Sequence, residues 1–315
     1  MDASTRTDAA PRFSVVDITT PSLSLPELLD VCTRAGAHGV AIAERRLSDI
    51  GRDAELIAAS GLAVTGCFST CTSILPPADP SGAGPTRPEL DEPALRVAAI
   101  AESMRALAPL APGVFYVLSG PRGRHSSAAA ESLVVEGLRE LADVAADIGS
   151  GVALELFHAS LVNWSYACTV AEGVAILDRV GRPNVALAVD IWHLPDGPDT
   201  LAQLREHATR IASVHVDDRR EPTRSVRDRV FPGDGTADVA GILGAVDAGG
   251  YRGWYELEIL SDDGRYEDDL PDSLWKLDPF ELVSTGRAKF EAAWAARRLT
   301  PERGDAAASE ARPAV

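Results

Sequence analysis

Short apolar runs alternate along the chain with longer segments of helical periodicity. The runs are rich in β-branched residues and predict eight strands, at Phe13–Ile18, His38–Ala43, Leu62–Phe68, Val114–Leu118, Val152–Phe157, Val185–Ile191, Ile211–Val216 and Trp254–Leu260. Apolar residues spaced three or four apart predict helices at Ser24–Ala35, Asp53–Ser60, Ala94–Leu107, Ala128–Ile148, Cys168–Val180, Thr200–His207, Asp238–Ala248 and Phe280–Arg297. Strands that are apolar almost throughout are typical of a parallel sheet covered on both faces.

Eight strands, each followed by a helix, predict an α/β protein, a single-domain (β/α)8 TIM barrel over residues 12–298. A doubly wound open sheet is the competing fold, and it usually carries a glycine-rich phosphate loop after its first strand. The first strand here ends in ITTPSLSL, which has no glycine. We expect the polar segments 1–11 and 299–315 to be a disordered lead and a disordered tail.

The charge balance narrows the class of partner. The chain has 47 acidic and 30 basic residues, a formal net charge of −17. Such a surface repels phosphate backbones and anionic membranes, so neither nucleic acid nor a membrane is an expected partner. No apolar run reaches the ~18 residues of a membrane-spanning helix, and no signal-peptide pattern opens the chain. We therefore expect a cytoplasmic protein.

Ionisable residues interrupt the apolar runs of the last four predicted strands. These residues are Glu155, Asp190, His215 and Glu258. The active groups of a barrel lie at the C-terminal ends of its strands, so the four should converge on one rim. Burying such groups singly is costly, whereas burying them around a cation is not. Three carboxylates and one imidazole favour Mn²⁺ or Mg²⁺, with Co²⁺ plausible, over tetrahedral zinc.

The eighth strand offers two glutamates, because Glu256 and Glu258 lie on the same face by period two. The pattern does not force the choice of ligand between them, and the position nearer the C-terminal end favours Glu258.

Further residues on the same rim are candidates for contact with a substrate. His193 follows Asp190 and could bind substrate or transfer a proton, and His158 follows the fifth strand. Trp192 is one of several loop tryptophans expected to line a substrate pocket. The segment after the seventh strand carries five arginines, which suggests a binder of anions or hydroxyls, and Arg229 is the one expected to act.

Five motifs at these positions resemble the sugar phosphate isomerase/epimerase superfamily, the xylose isomerase-like barrels. They are ALELFH, VDIWH, SVHVDD, RVFPGDG and ELEIL, and the likeness extends over residues 12–295. The chain is similar to inosose isomerases and dehydratases and to ketose 3-epimerases. The resemblance implies that Glu155, Asp190, His215 and Glu258 bind Mn²⁺ or a similar ion. It also implies that His193 and Arg229 contact substrate oxygens and that Glu155 and Glu258 exchange protons.

The resemblance leaves the reaction open. An isomerase or epimerase of a sugar or cyclitol would form a metal-stabilised enediolate, using Glu155, Glu258 or His193 for proton transfer. A lyase would form the same enolate and expel a β-substituent, as in inosose dehydration or cleavage of a 3-oxo-C-glycoside, with His158 or His193 as base. Ketose 3-epimerases usually carry a further glutamate shortly after the ligand of the fifth strand, and the stretch HASLVNW has none.

Two other classes remain for comparison. A non-catalytic sugar-binding barrel would differ from an enzyme in its metal content. An endonuclease IV type of nuclease would need a richer set of histidines and a basic surface, whereas this chain has six histidines and is acidic. Related barrels are often dimers or tetramers, so a homo-oligomer is also compatible with the resemblance.

Overall fold

Eight parallel strands close into a barrel in the computed structural model, which describes residues 10–77 and 90–297. Each strand pairs with its neighbours in the sequence, and the eighth pairs with the first. The strands are β1 Arg12–Val16, β2 Gly39–Ala43, β3 Ala63–Ser73, β4 Val114–Leu118, β5 Gly151–Glu155, β6 Val185–Asp190, β7 Ile211–Val216 and β8 Trp254–Leu257. The predicted fold class is confirmed.

A helix follows each strand along the chain and covers the apolar outer face of the sheet. The helices are α1 Leu25–Arg34, α2 Ile50–Ser60, α3 Pro93–Leu107, α4 Ser127–Asp147, α5 Val170–Val180, α6 Pro198–Glu206, α7 Val239–Ala248 and α8 Pro279–Ala295. None of those in the described part of the chain is long and apolar enough to cross a membrane. Of the predicted disordered ends, residues 299–315 and all of 1–11 except the last two lie outside the described residues.

Three of the predicted strands extend at least two residues too far at their C-terminal ends, and the first of them ends at Val16 rather than Ile18. The fifth ends at Glu155 rather than Phe157, because the Phe157 backbone N–H donates to Ala167 O at 3.0 Å instead of pairing with the sheet. The eighth ends at Leu257 rather than Leu260. At the ends of the fifth and eighth strands the chain leaves the sheet close to a candidate ligand, so that the side chain lies at the rim.

Tyr116 fills the floor of the barrel. Its ring stacks on Phe68 with centroids 4.4 Å apart and packs against small residues of the neighbouring strands. Gly66 leaves the room for it, since a Cβ at that position would lie 2.3 Å from the tyrosine ring. The floor also carries the buried Glu256, and the metal candidates lie at the strand ends above it.

The register of the sheet sets the height of the candidate residues. Asp190 pairs with His215, and His215 pairs with Glu256. Glu258 therefore lies two residues beyond this level, just past the end of β8. Register alone brings these groups from three strands to one end of the barrel.

Candidate metal centre and active site

The four residues predicted as metal ligands meet at the C-terminal rim of the barrel. Glu155, Asp190, His215 and Glu258 each offer one ligand atom, and these atoms all lie within 4.8 Å of one another. All four side chains are buried. His215 Nδ1 lies 3.5 Å from Glu155 Oε1 and 3.2 Å from Glu258 Oε2. The structure thus brings together the whole predicted set.

His215 provides the test of whether this cluster fits a cation. Both its ring nitrogens are buried and neither makes a well-aligned hydrogen bond, although carboxylate oxygens lie 3.2–3.5 Å from them. Burial alone would lower the pKa of His215, but Glu258 and the other carboxylates raise it well above 6.5. The position therefore favours positive charge. A mostly oxygen ligand set with one imidazole fits a divalent ion of the Mn²⁺ type.

Glu256 faces the other side of the same imidazole. Its Oε2 lies 3.3 Å from His215 Nε2, and it accepts a hydrogen bond from Ser213 Oγ at 3.2 Å and one from Tyr116 OH. Its Oε1 accepts a hydrogen bond from Ser14 Oγ at 3.1 Å. Of the two glutamates that the sequence offers here, Glu258 lies in the cluster, whereas Glu256 contacts the opposite side of the histidine ring.

The segment between β7 and α7 folds over the rim as a small hairpin. Its two-residue strands, Asp218–Arg219 and Arg229–Val230, pair antiparallel. The Asp218 carboxylate accepts the backbone N–H groups of Gly233, Gly235 and Ala237 at 2.9–3.0 Å and so fixes the FPGDG turn. This local network places Arg229 inside the site.

Arg229 ties the carboxylates of the cluster together. Its Nη1 donates to Asp190 Oδ2 at 2.7 Å, to Glu258 Oε2 at 2.9 Å and to Asp217 Oδ2 at 2.6 Å. The backbone N–H of Trp192 donates to both Asp190 and Asp217. Sequence reasoning missed Asp217, because a second aspartate at the end of a strand looks like an ordinary loop acid until the hairpin closes over it.

His193 lines the cavity as a neutral imidazole. Its Nδ1 accepts the backbone N–H of His158 at 3.1 Å, so the ring proton lies on Nε2. Burial lowers the pKa of His193 to about 3, and the ring stacks on Phe157 with centroids 4.3 Å apart. The Nδ1 lone pair is thus engaged by a backbone N–H, and the Nε2–H, 3.7 Å from Asp190 Oδ2, is the group that this ring can offer as a donor.

Two other predicted substrate contacts lie behind the cavity wall. The His158 ring nitrogen Nδ1 is held by Ser160 at 2.8 Å, and its backbone orients His193. Trp192 is 3% exposed, with its ring 5.0 Å from that of His193 and 5.8 Å from the Arg229 guanidinium. Neither side chain lines the cavity, whereas Trp164 does.

The cavity above the cluster has a volume of about 440 Å³, within the range of small-molecule sites. Glu155, His193, Arg229 and Glu258 form its polar floor, and much of the remaining wall is apolar: Ile18, Phe68, Phe157, Trp164, Val226, Leu260 and Tyr266. The two glutamates differ in pKa. Burial raises the pKa of Glu155, whereas His215 and Arg229 outweigh burial and lower that of Glu258 to about 2.

Comparison with known proteins agrees with this geometry. The family model described as xylose isomerase-like TIM barrel matches residues 29–278. An inosose dehydratase of Geobacillus thermodenitrificans is 32% identical over 41% of this chain and 47% of its own length. An L-ribulose 3-epimerase of a Methylomonas species is 29% identical over 47% of this chain and 49% of its own length. The chain thus spans about half the length of these two relatives.

A solved structure, that of the IOLI protein with a bound zinc atom, shares the fold. Its TM-score is 0.70 at 18% identity, and the match covers 90% of this chain and 97% of that one.

Proposed function

Because the chain belongs to the xylose isomerase-like TIM barrel family, we propose that it is a divalent-metal-dependent isomerase or epimerase of a sugar or cyclitol that carries a hydroxyl beside a carbonyl. The observation that carries the proposal is the convergence, at the floor of a cavity, of three carboxylates and the His215 imidazole, whose buried ring nitrogens make no well-aligned hydrogen bond. We propose Mn²⁺ as the ion, with Mg²⁺ or Co²⁺ as alternatives, held by Glu155, Asp190, His215 and Glu258.

The polar groups at the floor of the cavity have roles in this reaction. When bound, a divalent ion polarises carbonyl and hydroxyl oxygens and stabilises negative charge on them. Glu155 and Glu258 flank the site with pKa values displaced in opposite directions, an arrangement suited to removing and returning a proton at the carbon beside the carbonyl. His193 donates from Nε2 to a substrate oxygen, while Arg229 holds the carboxylates and reaches the substrate from the hairpin. We propose supporting roles for His158 and Trp192.

A lyase of the same site is the second candidate. The turn after β5 carries His158, Ser160 and Trp164 and no acid, so a second proton-transfer glutamate is missing there. The neutral His193 can instead donate a hydrogen bond from Nε2 to a departing hydroxyl, and Glu155, whose pKa burial raises, would supply the proton with which it leaves as water. The relatives include a protein named inosose dehydratase, which accords with elimination.

Metal content and turnover test the proposal together. Purified wild type, Glu155→Gln and Glu258→Gln would be analysed for bound metal and screened against ketoses, inososes and 3-oxo-glycosides. Glu140→Gln, an exposed position on α4, is the matched control. We expect near-stoichiometric divalent metal and turnover in wild type and control, with both reduced in the two site variants. Absence of metal and of activity after Mn²⁺ addition would favour a non-catalytic sugar-binding barrel.

The product distinguishes the two reactions, since an epimer retains the elements of water and an elimination product does not. The predicted dimer or tetramer would be measured on the same samples by light scattering.

A further inference from the structure

The five arginines of the segment between β7 and α7 are not equivalent. Four of them have carboxylate partners, in the pairs Arg219–Asp196, Arg220–Asp228, Arg224–Asp228 and Arg229–Asp190. Arg220 and Arg224 also share Asp272. The fifth, Arg227, forms no ion pair with any residue that the structure describes.

Arg227 is nevertheless 94% buried, its exposed fraction being 6%. Its guanidinium lies over the ring of Tyr266, 4.5 Å from the centroid, and lines the same cavity as Glu155 and Glu258. Burying a charge is costly unless it is paired. The tyrosine ring contacts only the face of the guanidinium. The N–H groups at its edge, whose geometry matches carboxylate and phosphate oxygens, have no hydrogen-bond partner among the described residues.

A second unpaired arginine lines this cavity from the opposite part of the chain. Arg45 lies in the 3-10 turn that follows β2, is exposed, and forms no ion pair within the described ranges. Asp17 is the acid of that wall, and it is already held by Arg46 Nε at 3.2 Å and by the Ala43 backbone N–H at 3.2 Å. Two guanidiniums that have no ion-pair partner among the described residues therefore line this cavity, in a protein whose overall net charge is −17.

We propose that Arg227, assisted by Arg45, binds an anionic group of the substrate, a carboxylate or a phosphate. The substrate is then a hydroxy-carbonyl compound with its reacting end at the carboxylate cluster and a negative charge at the other end. The identity of the reacting end rests on the proposed function, whereas the anion subsite rests on Arg227 and its surroundings.

Three ketoses that share one reacting end test the subsite: D-fructose, D-fructose 6-phosphate and D-fructuronate. Their affinities would be measured by titration calorimetry on Mn²⁺-loaded wild type, Arg227→Gln and Arg252→Gln. Arg252 precedes β8 at the far end of the barrel, so its variant has the same change in net charge without touching the cavity.

We expect at least one anionic ketose to bind wild type and Arg252→Gln at least tenfold more tightly than fructose. Arg227→Gln should lose about ten- to a hundredfold of that affinity, as hydrogen bonds to charged groups do, and should bind fructose as wild type does. Whichever anionic ketose binds more tightly identifies the group. Arg45→Gln, at an exposed position, should weaken the same ketose selectively and serves if Arg227→Gln does not fold.

Equal affinity for all three ketoses in wild type, or a preference that survives in both arginine variants, would overturn the inference. Turnover of fructose with such a result would leave the proposed function standing. Conversely, the protein could bind an anionic ketose more tightly through Arg227 and yet bind no metal. That result would refute the proposed function and leave the inferred anion subsite standing.

Discussion

Replacing Glu256 by glutamine removes a buried negative charge beside the proposed metal ligand His215 and keeps the shape of the side chain. Glu256 Oε2 lies 3.3 Å from His215 Nε2, on the side of the ring that faces away from the cluster. A carboxylate in that position fixes the ring and makes its other nitrogen a stronger donor to a metal. The variant tests whether Glu256 acts on the metal site through the histidine or only fills the barrel floor.

The expected loss follows from this arrangement. Removing an outer partner of a ligating histidine typically costs about 10- to 100-fold in metal affinity, or about 1.4–2.8 kcal/mol. The carboxylates around His215 raise its pKa, so the metal-free protein holds a proton that an incoming ion must displace. Affinity should therefore rise with pH in wild type. Because Glu256→Gln also lowers the pKa of His215, its deficit should be smallest near pH 6 and largest near pH 9.

The assay is competition for Mn²⁺ against a chromophoric chelator between pH 6 and pH 9. Ser14→Ala is the matched control, because it removes the hydrogen bond to Oε1 at 3.1 Å and leaves the charge beside His215. Urea unfolding of the metal-free proteins would reveal any general loss of stability. Equal Mn²⁺ affinity of the two variants at every pH would refute a role for Glu256 in positioning the metal ligand.

Three further predictions concern the same end of the barrel. Glu155→Gln should reduce turnover by about 10²- to 10⁴-fold, the usual contribution of an acid–base group, with Glu140→Gln unchanged in the same steady-state assay. Burial lowers the pKa of His193 from 6.5 to about 3 in the folded protein. Between these two pH values the imidazole is protonated in the unfolded chain and neutral in the folded one, so the free energy of unfolding decreases as the pH falls from 6.5 towards 3. Between pH 7 and pH 5 metal-free wild type should lose about 2 kcal/mol more than His193→Gln in urea unfolding, and parallel curves would contradict this. Gly66→Ala would set a methyl 2.3 Å from the Tyr116 ring. It should lower the free energy of unfolding, measured with urea, by about 1–3 kcal/mol. An unchanged urea midpoint would mean that the residues at the barrel floor shift to accommodate the methyl.

The fold was predictable because its signal is local and repeated. Strands buried on both faces are apolar throughout, and Val114–Leu118 and Ile211–Val216 were predicted to the residue. The ends of β1, β5 and β8 were predicted too late, since apolar residues continue past the rim to line the cavity and the core. Periodicity records burial, and it does not record where hydrogen bonding to the sheet stops.

The candidate site divides in the same way. Charged groups inside apolar runs are conspicuous, so all four members of the cluster could be found from the sequence. Asp217 and Arg227 lie in a segment rich in acids and arginines, where composition does not reveal which charges are paired. Their roles depend on a hairpin only two residues long on each side, whose closure is set by Asp218.

The electrostatics of the rim favour a cation independently of any family likeness. Five buried carboxylates surround the centre, those of Glu155, Asp190, Asp217, Glu256 and Glu258, and the buried side chains among them that favour positive charge are Arg229 and His215. Burial together with neighbouring acids raises the pKa of both Glu155 and Asp217. Both shifts favour the protonated, uncharged form of these two acids. The divalent ion proposed above would supply positive charge at the point where these groups converge and would offset the cost of burying so many acids together.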